Sequence, residues 1–248
     1  MSEIKYYGSG AGLPDSAFWD GFNRVFAYGG ADRSHETDSG ILTGVTLTTG
    51  YGAIAATASA GTAQQLTTGT LAASTAKYVN VAIAPSANSE TLLRTLQGAG
   101  AALAVEANKA VAAVVEAASG IIEFTLNLSR ATVLTCLTDL NTVMDERGTP
   151  AEGRCIAMPS TLMGELAKDS AVQGETDIEI TGGVKRVMGF DVVIDDELDG
   201  EMIAWQKDAL AVAAIVDSYT RTSGAVSATL HAGALVVDAD GVAVVTVS

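Results

Sequence analysis

The chain has 248 residues, 48% of them apolar and 17% charged, with 14 Lys+Arg against 29 Asp+Glu and a formal net charge of −15. That apolar content excludes wholesale disorder, while an aromatic content of only 5% leaves cores to be built from Ala, Val, Leu and Ile. The acidic balance argues against nucleic-acid binding and attraction to anionic membranes, and no uncharged apolar run reaches the roughly eighteen residues of a membrane span.

Met1 to Lys5 lacks the apolar run of a signal peptide. The tail Gly8-Ser9-Gly10-Ala11-Gly12 superficially matches a dinucleotide loop, but no strand precedes it and its spacing is wrong. Asp15 or Ser16 then caps a short helix with Phe18, Phe22 and Phe26 along one side and Trp19 beside them. Two readings stay open for it. It is either a helix docked on its own core or an arm whose aromatic anchors grip a neighbouring subunit, given reach by Gly29-Gly30 and the glycine-rich tail.

From Ile41 to Ser89, forty-nine residues carry a single charge, Lys77. Val45 and Leu47 alternate with threonines, and Val79, Val81 and Ile83 alternate with Asn80, Ala82 and Ala84. These strand periods bracket a turn-rich middle, Tyr51 to Thr75. Two such strands returning on each other make a long β-ribbon, too poor in large side chains to bury a core of its own. The ribbon is expected to lie on another surface, most naturally a second copy of the chain; a disordered linker is the alternative. Lys77 is a candidate for an inter-chain salt bridge or an isopeptide bond.

Ser89 to Ser119 contains no proline and opens on a polar cluster with Glu90 in its first turn. Leu92, Leu96, Ala99, Leu103, Ala107, Ala110 and Val114 draw one apolar stripe, so a helix of about 45 Å is predicted. Gly98 and Gly100 weaken its first third and admit a bend. A strand follows over Ile121 to Leu128, then an amphipathic helix through Val133, Leu137, Leu140 and Met144, ending near Gly148. Arg154 to Met158 reads as a short buried strand, and Pro159-Ser160 starts another helix. Residues 169–183 read as a mobile loop or small hairpin around Ile178 and Ile180, with Gly182 and Gly183. Val187 to Ile194 and Met202 to Trp205 are strands. Asp208 stands as a cap for the apolar run Ala209 to Val216. Tyr219 to His231 forms one strand, and Asp238-Ala239-Asp240-Gly241 is a hairpin signal between Leu235–Val237 and Val242–Val245. No internal repeat stands out.

Motifs that carry chemistry are scarce. His35 and His231 lack motif context, and no nucleophile elbow, zinc-protease helix or phosphate loop occurs. Cys136 and Cys155 form neither a disulfide framework nor a zinc pattern and read as buried thiols. Asp195, Glu197, Asp199 and Gly200 fall at calcium-loop spacing, but Gln206 replaces the final glutamate and strands flank the run, so a solvated turn is the better reading. An enzyme or ligand binder with a pocket lined by residues 195–201 is the competing functional class.

The segment Arg154-Cys155-Ile156-Ala157-Met158-Pro159-Ser160, then Gly183-Val184-Lys185-Arg186-Val187-Met188-Gly189-Phe190-Asp191-Val192-Val193, then Trp205-Gln206-Lys207-Asp208-Ala209-Leu210-Ala211, resembles major capsid proteins of tailed bacteriophages of the Hong Kong 97 type. Gly233 to Val237 and Asp240 to Val244 resemble strands returning to that family's peripheral lobe. The order of elements matches over most of residues 41–248, although no room is left before the ribbon for a cleaved internal scaffolding segment.

The resemblance implies an α+β Hong Kong 97-type capsid fold. Its parts are an N-terminal arm (1–40), an extended loop (41–88), a peripheral domain with a spine helix (89–125 and 226–248) and an axial domain (126–225). It implies a virion structural protein, not an enzyme, that needs no cofactor or metal. Copies would assemble in the host cytoplasm as pentamers and hexamers into an icosahedral shell that encloses double-stranded DNA without sequence-specific binding. Separate scaffolding, portal and decoration proteins are conceivable partners, and a membrane is not. An encapsulin-like compartment shell is the alternative within the same fold. Candidate subunit-interface residues are Phe18, Trp19, Phe22, Phe26, Tyr51, Lys77, Ile178, Ile180, Gly182 and Gly183.

Overall fold

The structure, a computed structural model, describes residues 16–30, 45–49, 67–71, 77–83, 88–168 and 186–248. Tyr51, Ile178, Ile180, Gly182, Gly183 and the 169–183 loop lie outside the described residues. At its centre runs α2 (Ser89–Glu116), capped by Asn88, whose side-chain oxygen accepts from the Thr91 N–H at 2.8 Å. Glu90 and Arg94 pair one turn apart at 2.6 Å on its exposed side. Leu96, Ala99, Leu103 and Ala107 of the predicted stripe are buried, and beyond them the buried face moves to Val111 and Val115, leaving Val114 exposed. By length and composition α2 would pass for a membrane span, yet half of it is buried against its own chain.

The helix is unbroken at Gly98 and Gly100, and the reason is packing. α1 (Ser16–Val25) crosses α2 so closely that a methyl group on Gly100 would fall on the Phe18 carbonyl oxygen, and one on Gly21 would fall on that of Gln97. Gly100 is therefore a contact point and Gly98, with open space around it, is not. Phe18 and Phe22 are completely buried and Phe26 nearly so. Phe18 meets Trp19 and Tyr219 edge-on at 5.6 and 5.4 Å, and Phe22 meets Phe26 at 5.3 Å. Residues 16–30 are thus no reaching arm. Phe18, Phe22 and Phe26, with Trp19 packed against them, bind the segment into the core of its own chain.

Among the described residues the strands form three sheets, two of which pack on α2. β1 (Val45–Thr49) pairs antiparallel with β2 (Thr67–Leu71) as a separate two-stranded sheet. β3 (Lys77–Ala82), expected to return on β1, pairs instead with β10 (Ala225–Val236), in register Val79↔Ala228. On the other side of β10 lies β9 (Leu210–Arg221), which replaces the expected capped helical run. Leu210-Ala211-Val212 is an apolar run that fits either period, and pairing with β10 decides it.

The six-stranded sheet has the order β4 (Ile122–Leu126), β11 (Val242–Val247), β8 (Glu201–Gln206), β5 (Arg154–Met158), β7 (Phe190–Ile194), β6 (Arg186–Val187). β11 runs parallel to β4, β5 runs parallel to β7, and β8 opposes both β11 and β5. The predicted single strand over 187–194 is divided at Met188-Gly189, both with positive φ (49° and 85°), which folds β6 back on β7. The 238–241 turn leads from β10 into another sheet and closes no hairpin. Hydrogen bonding places β4 and β11 in the six-stranded sheet, and β9 with β3 and β10 beside α2.

Alternation makes the six-stranded sheet a wall between two cores. Ile156, Met158, Met202, Ala204, Ala243 and Val245 face α3 (Val133–Glu146) and α4 (Ser160–Lys168). Cys155, Ala157, Ile203, Trp205 and Val242 face the cluster of α1, α2, β9 and β10. Arg154, 2% exposed, ties the end of α3 to β5. It donates to Asp145 Oδ1, Asn141 Oδ1 and the Thr149 carbonyl, each at 2.6 Å, and to the Pro150 carbonyl at 3.1 Å.

Candidate functional site

The seam between α2 and the 195–200 turn is where charged groups concentrate. Lys77 on β3 pairs with Glu106 at 2.8 Å, Glu106 with Lys109 at 3.3 Å, and Lys109 with Glu197 at 3.1 Å. This alternating chain joins the three-stranded sheet, α2 and the turn of the other lobe. The Lys77 hydrogen bond, assisted by Lys109, holds the Glu106 carboxyl below the usual carboxylate range; Glu197 and then Glu106 raise Lys109. Lys77 is therefore engaged with Glu106 within its own chain, with its side chain still half-exposed.

The carboxylates of the turn do not converge. Asp195 is 2% exposed and points inward, where its Oδ1 accepts from Asn108 Nδ2 at 3.3 Å and from the Glu197 N–H at 3.2 Å. Asp196 accepts from the Ser160 N–H at 2.7 Å, capping α4 across 36 residues, and Glu197 turns to Lys109. Of the carboxylates at calcium-loop spacing, Asp195 thus turns inward to Asn108 and Glu197 outward to Lys109. Among the described residues no group of three or more His, Cys, Asp and Glu is placed to hold a metal ion. A groove of about 600 Å³ opens beside this turn, lined by Leu162, Asp196, Glu197, Asp199, Gly200 and Val247 among others, with no histidine or cysteine in its wall.

Glu116, at the C-terminal end of α2, stands against Glu201 at the start of β8. Desolvation first, then the Glu116 charge, raises the Glu201 carboxyl above its ordinary value. A carboxylate beside a helix C-terminus is also unfavourable to the helix dipole. Burial likewise raises Asp195, with Glu197 adding to it and hydrogen bonds from the Glu197 N–H, Asn108 and Tyr28 opposing. Burial pushes the thiols of Cys136 and Cys155 up to about 11 and about 12. Neither is a nucleophile near neutral pH.

Sequence reasoning missed Asn108, whose amide is saturated. Its Oδ1 accepts from the Ala27 N–H at 3.0 Å, and its Nδ2 donates to the Val25 carbonyl at 3.0 Å besides Asp195. The available signal was an asparagine on the apolar side of the stripe, one residue after Ala107.

No protein-family model matches the chain, and no curated protein matches it. The fold does match solved structures along most of its length. Against the capsid structure of the cyanophage P-SCSP1u the identity is 16%, with 83% of this chain and 82% of that chain covered and a TM-score of 0.55. A chain of Mycobacterium phage Che8 is 15% identical, covering 99% of this chain and 95% of its own, with a TM-score of 0.61. A virus-like particle from Pyrococcus furiosus is 13% identical, covering 93% and 96%, with a TM-score of 0.57. The architecture is thus that of phage capsid subunits, the Hong Kong 97 type of fold.

Proposed function

We propose that this chain is the major capsid protein of a tailed bacteriophage, assembling as pentamers and hexamers into an icosahedral shell around double-stranded DNA. The observation that carries the reading is the extent of the fold match in both directions to a cyanophage capsid subunit: 83% of this chain and 82% of that one. In this reading α2 is the spine, with β3, β10 and β9 it forms the peripheral lobe, and the six-stranded sheet with α3 and α4 forms the axial lobe. The ribbon within residues 41–88 is the extended loop that lies on a neighbouring copy. A two-stranded sheet is marginal alone, which favours a further surface beneath it besides β10, which β2 touches in its own chain. The acidic net charge suits a container that must not grip a polyanion. Tyr51, Ile178, Ile180, Gly182 and Gly183 remain proposed interface residues. Assembly in a host cytoplasm, aided by separate scaffolding, portal or decoration proteins, belongs to the same proposal.

Electron microscopy and light scattering of the purified protein test it. Closed particles of uniform diameter are expected, and a persistent monomer in near-physiological buffer overturns it. Nuclease-protected DNA inside particles recovered from the native source supports the virion; enclosed protein cargo without DNA would point to a compartment shell instead.

A further inference from the structure

β3 stands at the end of its sheet. It pairs with β10 on one side, and among the described residues no strand pairs with it on the other. A bond of 2.8 Å from the Ile83 N–H to the Gly224 carbonyl carries the β3–β10 ladder past Ala82 and fixes its phase. Successive residues of a strand aim their backbone groups to opposite sides, so Ile83, Val81 and Val79 turn N–H and C=O towards β10. Tyr78, Asn80 and Ala82 therefore turn theirs to the open side. These three residues are exposed, Tyr78 to 75%, whereas Val79 and Val81 pack against the core shared with α2.

Folded proteins guard such an edge with charge, proline, a bulge or a covering element. From Tyr78 to Ala82 there is neither charge nor proline, and the register with β10 runs without a shift. Lys77, at the start of the strand, turns to Glu106 on α2. An unguarded edge is where a further strand adds, its main chain supplying the bonds. Charge narrows the source of that strand. The chain carries a net charge of −15, so most segments of a second copy bring carboxylates with them. The stretch from Ile41 to Ser89, with Lys77 as its single charge, does not. Within it β1 and β2 are five residues each, rich in threonine, and each is paired on one side within their separate sheet. That sheet does not join β3 in its own chain, so the added strand comes from another copy.

We propose that the free edge of β3 seats the β1–β2 ribbon of a second copy, one strand of which extends the β3–β10–β9 sheet through the outward backbone groups of Tyr78, Asn80 and Ala82. This rests on the reading of the chain as a shell subunit and names the surface that receives the ribbon. The contact joins two different surfaces, ribbon to edge, so it leaves each copy with one of each to pass on and closes only in a ring.

Asn80→Pro tests the seat, because the N–H it removes faces the open side and the ladder to β10 keeps its bonds. A native circular dichroism spectrum with a cooperative melt, and loss of closed particles in electron micrographs, is expected. Asn80→Pro particles like those of the unaltered chain overturn the seat and leave the shell reading standing; an unaltered chain that never assembles overturns both. Cross-linking is the second measurement and does not rely on that variant folding. Asn80→Cys is combined in turn with a cysteine at each position of 45–49 and 67–71, and assembled particles are oxidised. Disulfide-linked multimers on a non-reducing gel are expected from at least one pair. Particles in which no pair cross-links, or in which Asn80→Cys alone yields dimers and so meets a second β3, overturn the proposal.

Discussion

Replacing either glycine in the first half of α2 by alanine tests the helix crossing, because the two positions differ only in what lies outside the helix. Gly→Ala in a helix interior is worth roughly 0.5–1 kcal/mol of stabilisation through the unfolded chain. At Gly98, which faces open space, that gain is expected in full. At Gly100 the new methyl falls on the Phe18 carbonyl oxygen, which is backbone and cannot swing aside. α1 must lift away, partly exposing Phe18 and Phe22, each of which contributes about 1.5–3 kcal/mol by its burial. Losing about half of that outweighs the propensity gain, so Gly100→Ala is expected to destabilise by about 1–2 kcal/mol. For a chain of this size that lowers the thermal midpoint by several degrees, at about 2–4 °C per kcal/mol. Urea unfolding followed by tryptophan fluorescence and far-ultraviolet circular dichroism measures both variants. Should Gly100→Ala prove as stable as Gly98→Ala, the close crossing of α1 on α2 is wrong.

Other substitutions probe other parts of the fold. The raised carboxyl of Glu201 makes it bind protons more readily folded than unfolded. Its contribution is full below the ordinary value of 4.5 and is lost as pH rises through the raised folded value. Glu201→Gln should therefore raise the thermal midpoint at neutral pH, with the difference vanishing below pH of about 4; a pH-independent effect would contradict the raised carboxyl. Arg154→Met removes a buried guanidinium and leaves the Thr149 carbonyl without its donor, at a cost of about 2–3 kcal/mol in urea unfolding. Cys136 and Cys155, held near 11 and 12, should resist a disulfide reagent at mildly alkaline pH in the native chain and react promptly in denaturant; rapid reaction of the folded protein would argue against their burial.

The helices were legible because their signals are local. Asn88 and Thr132 cap where polar residues precede an apolar period, and α2, α3 and α4 start within a residue or two of expectation. Strand partners were not legible, since pairing is decided by residues far away in sequence. β3 and β1 read as two arms of one ribbon, yet β3 found β10. The acidic loop between Leu235 and Val245 has every local mark of a hairpin, but its flanking strands go to different sheets. The aromatic helix was ambiguous between core and arm, and what settles it is the pair of glycines, Gly21 and Gly100, that permits contact with α2. Of the seam, the acidic run was visible, but the inward turn of Asp195 was not, because Asn108 and Tyr28 lie 87 and 167 residues away along the chain (195 − 108 and 195 − 28).

The position of β11 in the six-stranded sheet sets a clock on biosynthesis. This strand slides between β4, made long before it, and β8, so until it emerges from the ribosome those two strands each present an open edge and neither face of the wall is complete. A nascent chain therefore cannot close the six-stranded sheet until β11 has been made.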